Sequence, residues 1–298
     1  MSLFEDARAA ALPERRQVIA ELAAHPGRRR ARLVGMTGPP GAGKSSLVAE
    51  LAPRVLALRP DWAIGVLAVD PSSPATGGAL LGDRVRVRFP PADDRLFFRS
   101  QSSELELGGL GRHTFPVCRL LQHLFDVLLV ETVGVGQSEI EITRLVDRTL
   151  LVLSPHWGDS IQLMKAGVME VPDVVVLAKQ DLAEAGRGAA AIEAELARRG
   201  GGTTLHRVSV RTGLGLDALA REIAAMEASG DPPLARREPH FFARWVAGEL
   251  GRSGTTALEA LGGAAAYLAE AGAFEAAMAA FPSDYRNWLA IDGPPPGA

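Results

Sequence analysis

The sequence predicts an α/β fold of the P-loop type: a mostly parallel sheet flanked by helices, with a short helix before it and a helical extension after it. Three features predict this. Seven short apolar runs alternate with longer amphipathic segments, the order of strand and helix that builds a doubly wound sheet. Most of the runs are continuous rather than alternating, as expected of parallel strands covered on both faces. A glycine-rich loop follows the first run and opens a helix.

Residues 1–30 read as a helical arm ending in the basic turn Gly27-Arg28-Arg29-Arg30. The strand-like runs are 32–36, 63–69, 96–98, 127–130, 150–153, 174–177 and 205–208. Segments 45–58, 183–199 and 216–226 carry apolar residues at helical spacing. Gly230-Asp231-Pro232-Pro233 is a turn-rich linker. Beyond it no strand is evident, and 238–250, 255–271 and 274–281 read as helices. The chain therefore divides into an arm (1–30), an α/β domain (31–230) and a helical extension (231–298) that ends in a Pro/Gly tail.

Composition narrows the function. Of 298 residues, 47% are hydrophobic and 22% charged, which excludes a disordered chain. A net charge of −3 gives no global basic field for nucleic acid. No apolar run is long enough to cross a membrane and no secretory leader is visible, so no membrane is expected. The single cysteine, Cys118, fits a reducing cytoplasm. His113, Cys118 and His123 are five apart and share no helical face, so packing is expected of them rather than metal binding. Only three of the 32 basic residues are lysines: Lys44, Lys165 and Lys179. In a chain that otherwise uses arginine, these are positions where a guanidinium will not serve.

Gly38-Pro39-Pro40-Gly41-Ala42-Gly43-Lys44-Ser45, followed by Ser46, fits the phosphate-loop pattern. Its glycines let backbone N–H groups approach phosphates, and the helix that follows adds its positive end. Lys44 is placed for the β and γ phosphates and Ser45 for Mg²⁺. Ala178-Lys179-Gln180-Asp181 follows the sixth run, where a guanine-reading loop usually shows Asn-Lys-x-Asp. Asp181 would accept from guanine N1–H and the 2-amino group, and the Lys179 stem would pack along the base. Adenine offers no matching donors. Ser209-Val210-Arg211 after the last run fits the other base-contacting loop. Asp70, Asp83 and Glu131, at strand ends or nearby loops, could hold Mg²⁺ directly or through water.

Two longer strings carry a resemblance. Residues 67–83, LAVDPSSPATGGALLGD, and residues 131–139, ETVGVGQSE, resemble the MeaB/ArgK family of P-loop GTPases, chaperones associated with methylmalonyl-CoA mutase. Leu107-Gly108-Gly109 fits as well, and the resemblance spans about residues 30 to 250. It implies phosphate binding by residues 38–46 and a Mg²⁺ site formed or supported by Ser45, Asp70, Asp83 and Glu131. It implies guanine reading by Asp181 with Ser209, Val210 and Arg211. Asp159, Gln162 and Lys165 match a loop that, in this family, couples nucleotide state to the partner mutase. Ala178 departs from the family's usual Asn.

The resemblance thus implies hydrolysis of GTP to GDP and phosphate. It also implies a homodimer formed through the extension, and a role in gating adenosylcobalamin delivery to an acyl-CoA mutase and protecting that mutase. No glutamine stands directly after Glu131-Thr132-Val133-Gly134, and Gln137 is three residues further on, so slow intrinsic turnover and activation by a partner are expected. Three alternatives stand beside this reading. A metallochaperone GTPase would need His- or Cys-rich motifs; a kinase or transport ATPase would prefer adenine; a non-hydrolysing nucleotide-binding module would rest on Ala178 alone.

Overall fold

The computed structural model describes residues 31–70, 93–102, 110–132, 138–155, 172–183, 185–200, 202–227 and 233–291. The expected arm (1–30), residues 230–232 of the linker, the tail, and the expected site residues Asp83, Asp159, Gln162 and Lys165 lie outside them.

In chain order the elements are β1 (Arg32–Thr37), α1 (Lys44–Leu58), β2 (Ile64–Asp70), β3 (Leu96–Ser102), α2 (Thr114–Leu121), β4 (Val127–Glu131), α3 (Ser138–Leu145), β5 (Arg148–Leu153), β6 (Val174–Leu177), α4 (Ala185–Arg199), β7 (Thr204–Arg207), α5 (Leu216–Ala225), α6 (Pro233–Ala260), α7 (Gly263–Ala271) and α8 (Phe274–Ile291). All seven expected strands form one sheet, in the order β3-β2-β4-β1-β5-β6-β7, and every pairing is parallel.

The continuous apolar runs are continuous because both faces are covered. Val34 and Met36 of β1 join Leu47, Val48 and Leu51 of α1 and Leu216, Leu219 and Ile223 of α5 in one core. Leu151, Leu153, Val175 and Leu177 pack with Ala189 and Ile192 of α4 in a second. Successive strand residues point to opposite faces, so one apolar run feeds both cores.

Several expectations needed correction. β3 runs on to Ser102, past the apolar 96–98, through Arg99, Ser100 and Gln101. It is an edge strand paired only to β2, so polar residues are tolerated along it. β7 is the opposite edge and ends at Arg207, one residue before the expected run ends; Arg207 pairs there with Glu193. Helices α2 and α3 were not expected at all. The expected 255–271 helix is two pieces, broken at Gly262 and Gly263. α6 continues to Ala260 across a kink at Gly251, and α8 runs through Pro282 to Ile291.

The chain forms two compact units. One, residues 30–114 and 124–230, holds the sheet. The other gathers, among the described residues, 115–123 and α6 to α8, so most of α2 belongs with the C-terminal helices although it lies between β3 and β4 in the chain. Within that unit Phe115 of α2 stacks on Phe241 at 4.3 Å and meets Phe274 edge-on at 4.9 Å. Arg119 of α2 is held between Glu238 of α6 and Glu275 of α8, with Nε donating to Glu275 Oε1 at 2.7 Å. Phe242 is the hub, ringed by Trp245, Tyr267, Phe274 and Phe281. Cys118 is fully buried, and burial pushes its thiol pKa well up, which makes it an inert packing residue.

Candidate functional site

β1 lies at the centre of the sheet, with β4 on one side and β5 on the other. The chain leaves β1 toward one edge and returns through β5 toward the other. A parallel sheet opens its ligand crevice at the carboxyl ends of its strands, where the winding reverses. Thr37, Glu131, Asp70, Leu153, Leu177 and Arg207 are the last residues of their strands and therefore stand along that one edge.

The phosphate loop leaves β1 at Gly38, whose φ is +138°. A Cβ built there would sit 2.1 Å from the Val152 carbonyl oxygen, so only glycine lets the loop pass β5 this closely. α1 begins at Lys44 with Gly43 as its N-cap. Gly43 brings no side chain to the first-turn amides, which together with the helix dipole form an anion cradle. The Lys44 ammonium is buried and donates to the carbonyls of Gly38 (2.7 Å) and Pro39 (3.1 Å).

Ser45 Oγ donates to Glu131 Oε1 at 2.7 Å, which brings two of the four expected metal residues together. Asp70 closes β2, and Ala68 is in register with Glu131, so Asp70 lies two residues beyond Glu131 on the neighbouring strand. Two hydroxyls missed in the sequence stand beside them. Thr132 Oγ1 donates to Thr37 Oγ1 at 3.1 Å, and Thr132 N–H donates to the Met36 carbonyl at 3.0 Å. Thr132 sits inside the ETVGVG string, which is the signal that could have marked it. Among the described residues no group of three or more His, Cys, Asp or Glu could hold a metal ion.

The base-reading loop is coupled to the phosphate loop directly. Lys179 has φ +56°, alone among the described non-glycine residues in being left-handed. That turn carries its ammonium to the Gly41 carbonyl at 2.7 Å. Its neighbour Ala178 is buried in the α1/α5 core, and its N–H donates to Leu153 O at 2.8 Å. The methyl group thus fills a packed position where an amide would otherwise stand.

Asp181 and the second base loop converge. Ser209 Oγ donates to Asp181 Oδ1 at 2.5 Å, and Arg211 Nε donates to Oδ2 at 2.7 Å. These bonds hold the carboxyl below its ordinary range, near pKa 2, with the Ser209 hydroxyl the larger cause and Arg211 the next. Ser209 is fully buried, and its N–H and C=O close a turn on Leu214 and Gly213. Gly215 completes it: at φ +71° its hydrogen points to Arg207 O, where a Cβ would lie at 2.1 Å. Val210 packs partly buried against the core.

The family model described as "Methylmalonyl Co-A mutase-associated GTPase MeaB" matches residues 1–238. The chain belongs to this family. Among relatives, this MeaB-family chain is 47% identical over 152 residues to a Pyrococcus horikoshii protein named as a GTPase, covering 51% of this chain and 47% of that one. It is 42% identical over 149 residues to the mouse protein named methylmalonic aciduria type A homolog, mitochondrial, covering 50% and 35%. The chain thus spans about half the length of these two relatives or less. A solved structure of a LAO/AO transport system kinase superposes with a TM-score of 0.54 at 23% identity, over 94% of this chain and 91% of that one, and shows the MeaB chain's fold.

Proposed function

We propose that this chain binds GTP and hydrolyses it to GDP and phosphate, as a switch that serves a cobalamin-dependent acyl-CoA mutase. The observation that carries the reading is the bond from Lys179 to Gly41, which joins a guanine-type base loop to a phosphate loop along one sheet edge. Residues 38–46 wrap the phosphates. Lys44 exchanges its two loop carbonyls for β and γ phosphate oxygens and neutralises the charge that develops there. Asp181 reads the guanine edge, Lys179 supports the base with its stem, and the backbone of Ser209 to Arg211 closes the base pocket.

The donors at Ser45 and Glu131 are all oxygens, which suits a hard cation. Mg²⁺ bound there would supply positive charge beside the phosphates. Ser45 would ligate it, with Glu131, Asp70 and Asp83 holding it directly or through its water shell. Catalysis by this chain is then positioning and charge neutralisation.

A mutase client is supported by the family's description as mutase-associated, and gating of adenosylcobalamin delivery and protection of that client are proposed with it. Asp159, Gln162 and Lys165 are proposed to signal nucleotide state to that client. The 231–298 extension is proposed to pair two copies, and the working place is proposed to be the cytoplasm. Among the described residues no helix is long and apolar enough to cross a membrane.

The test is phosphate release from GTP and from ATP by the pure protein, with and without a cobalamin-dependent acyl-CoA mutase of the same organism. Slow GTP turnover accelerated by the mutase is the expected result. Turnover indifferent to the mutase would remove the client. A preference for ATP would remove the guanine assignment.

A further inference from the structure

Both oxygens of Asp181 already hold a donor, and one donor resembles the base itself. Guanine presents N1–H beside a 2-amino group on one carbon, which is a guanidine fragment. Arg211 places a guanidinium N–H on Oδ2 at 2.7 Å, while the Ser209 hydroxyl takes Oδ1. We propose that Arg211 covers the reading edge of Asp181 as an internal stand-in for guanine, so that nucleotide binds by exchanging one guanidine-type donor for another. The proposal rests on the guanine reading given above.

The two donors differ in a way that suits this division of labour. Ser209 is fully buried, and its Oγ also accepts from Thr212 N–H at 3.3 Å, so it stays with Asp181 whether or not base is present. The Arg211 side chain is 72% exposed against 10% for the Asp181 side chain. Its guanidinium can swing into water without disturbing the turn, whose shape is fixed by Ser209 N–H to Leu214 O (3.0 Å) and Gly213 N–H to Ser209 O (2.9 Å). The carboxylate is ionised across the ordinary pH range, so it is always an acceptor looking for donors. The occluding pair meets water through its Arg211 half, so it is weakened by salt.

The cover also suits the missing amide. With Ala178 in the core, no Asn side chain at that position can brace the loop. The bonds to Asp181 from the neighbouring loop keep the two loops together in the absence of base, at some cost to affinity when base arrives.

The experiment compares fluorescent GDP and ADP binding by the full chain, by Arg211→Ala, and by Arg198→Ala. Arg198 is a 75% exposed arginine on α4, paired with Glu195, and serves as the control for loss of one positive charge. Arg211→Ala is expected to bind GDP about two- to fivefold more tightly than the parent, through faster association, with the gap closing as salt is raised. ADP binding and the Arg198→Ala protein should show no such gain. Unchanged or weaker GDP binding by Arg211→Ala would overturn the cover and make Arg211 idle or a base-holding residue. If the parent itself failed to prefer GDP over ADP, the guanine reading would fall and the cover with it, a result separable from failure of the cover alone.

Discussion

At the residue scale, the base loop makes the sharpest demands. Replacing Asp181 with Asn turns one acceptor oxygen into a donor and leaves guanine N1–H and its amino group competing for one carbonyl. GDP affinity of Asp181→Asn is expected to fall about 100-fold, with xanthosine diphosphate, which carries a carbonyl at that edge, gaining in its place; competition binding checks both. The same carboxyl sets a pH expectation. Its folded pKa, near 2, lies below the ordinary value of 3.8. Its contribution to stability is therefore whole above about pH 4 and is lost as pH falls toward 2. Titration of Asp181 should then leave GDP binding flat from pH 7 to 5, and a midpoint in that window that vanished in Asp181→Asn would contradict the bonds to Ser209 and Arg211. The placement of the candidate site was legible beforehand: the phosphate loop, Lys179, Asp181 and Ser209 are each a fixed residue type at a fixed distance from a strand end. The contact between Thr37 and Thr132 was not legible, because a hydroxyl pair formed 95 residues apart leaves no local pattern, although Thr132 stands in the ETVGVG string. The hold of Arg211 on Asp181 was equally invisible, since an arginine in a loop looks like any solvated charge.

At the element scale, the phosphate loop depends on a backbone path rather than on side chains. Gly38→Ala places a methyl group against the Val152 carbonyl and strains a left-handed residue. It should cost about 1–3 kcal/mol of stability and weaken nucleotide binding by more than about tenfold, read by thermal melting and GDP titration. In the helical unit the corresponding joint is ionic. Arg119→Ala removes the guanidinium that pairs with both Glu238 and Glu275, and about 2–4 kcal/mol should be lost. Adding Glu238→Gln and Glu275→Gln to that variant should return part of the loss in urea unfolding. The strands were readable from their apolar runs because both faces are covered. The limits of β3 were not, because an edge strand owes its length to pairing with β2 and not to burial. α2 was missed for a different reason: Pro116 stands inside it, and the rings that pack on its buried Phe115 lie in distant sequence.

At the scale of the whole molecule, the sequence suggests a clean boundary near residue 230, yet the contacts do not respect chain order. The helical unit claims residues 115–123 from the middle of the α/β stretch. A protein ended at residue 230 would keep its phosphate and base loops but strip Phe115 of Phe241 of α6 and Phe274 of α8, in the unit that also holds the buried Cys118. It is expected to melt lower and to aggregate, with its Cys118 thiol open to reagents that the full chain resists; thiol titration and light scattering read this out. Linear patterns mark domains by where composition changes, and they are blind to a helix lent from one unit to the other. That loan has a consequence for biosynthesis. Phe115 leaves the ribosome roughly 160 residues ahead of Phe274, which at about 5–20 residues per second is a wait of about 8 to 32 s. During that interval a greasy helix end hangs from a nascent chain whose later helices do not yet exist, and newly made protein should lean on the cell's holding factors at this segment until the last helix emerges.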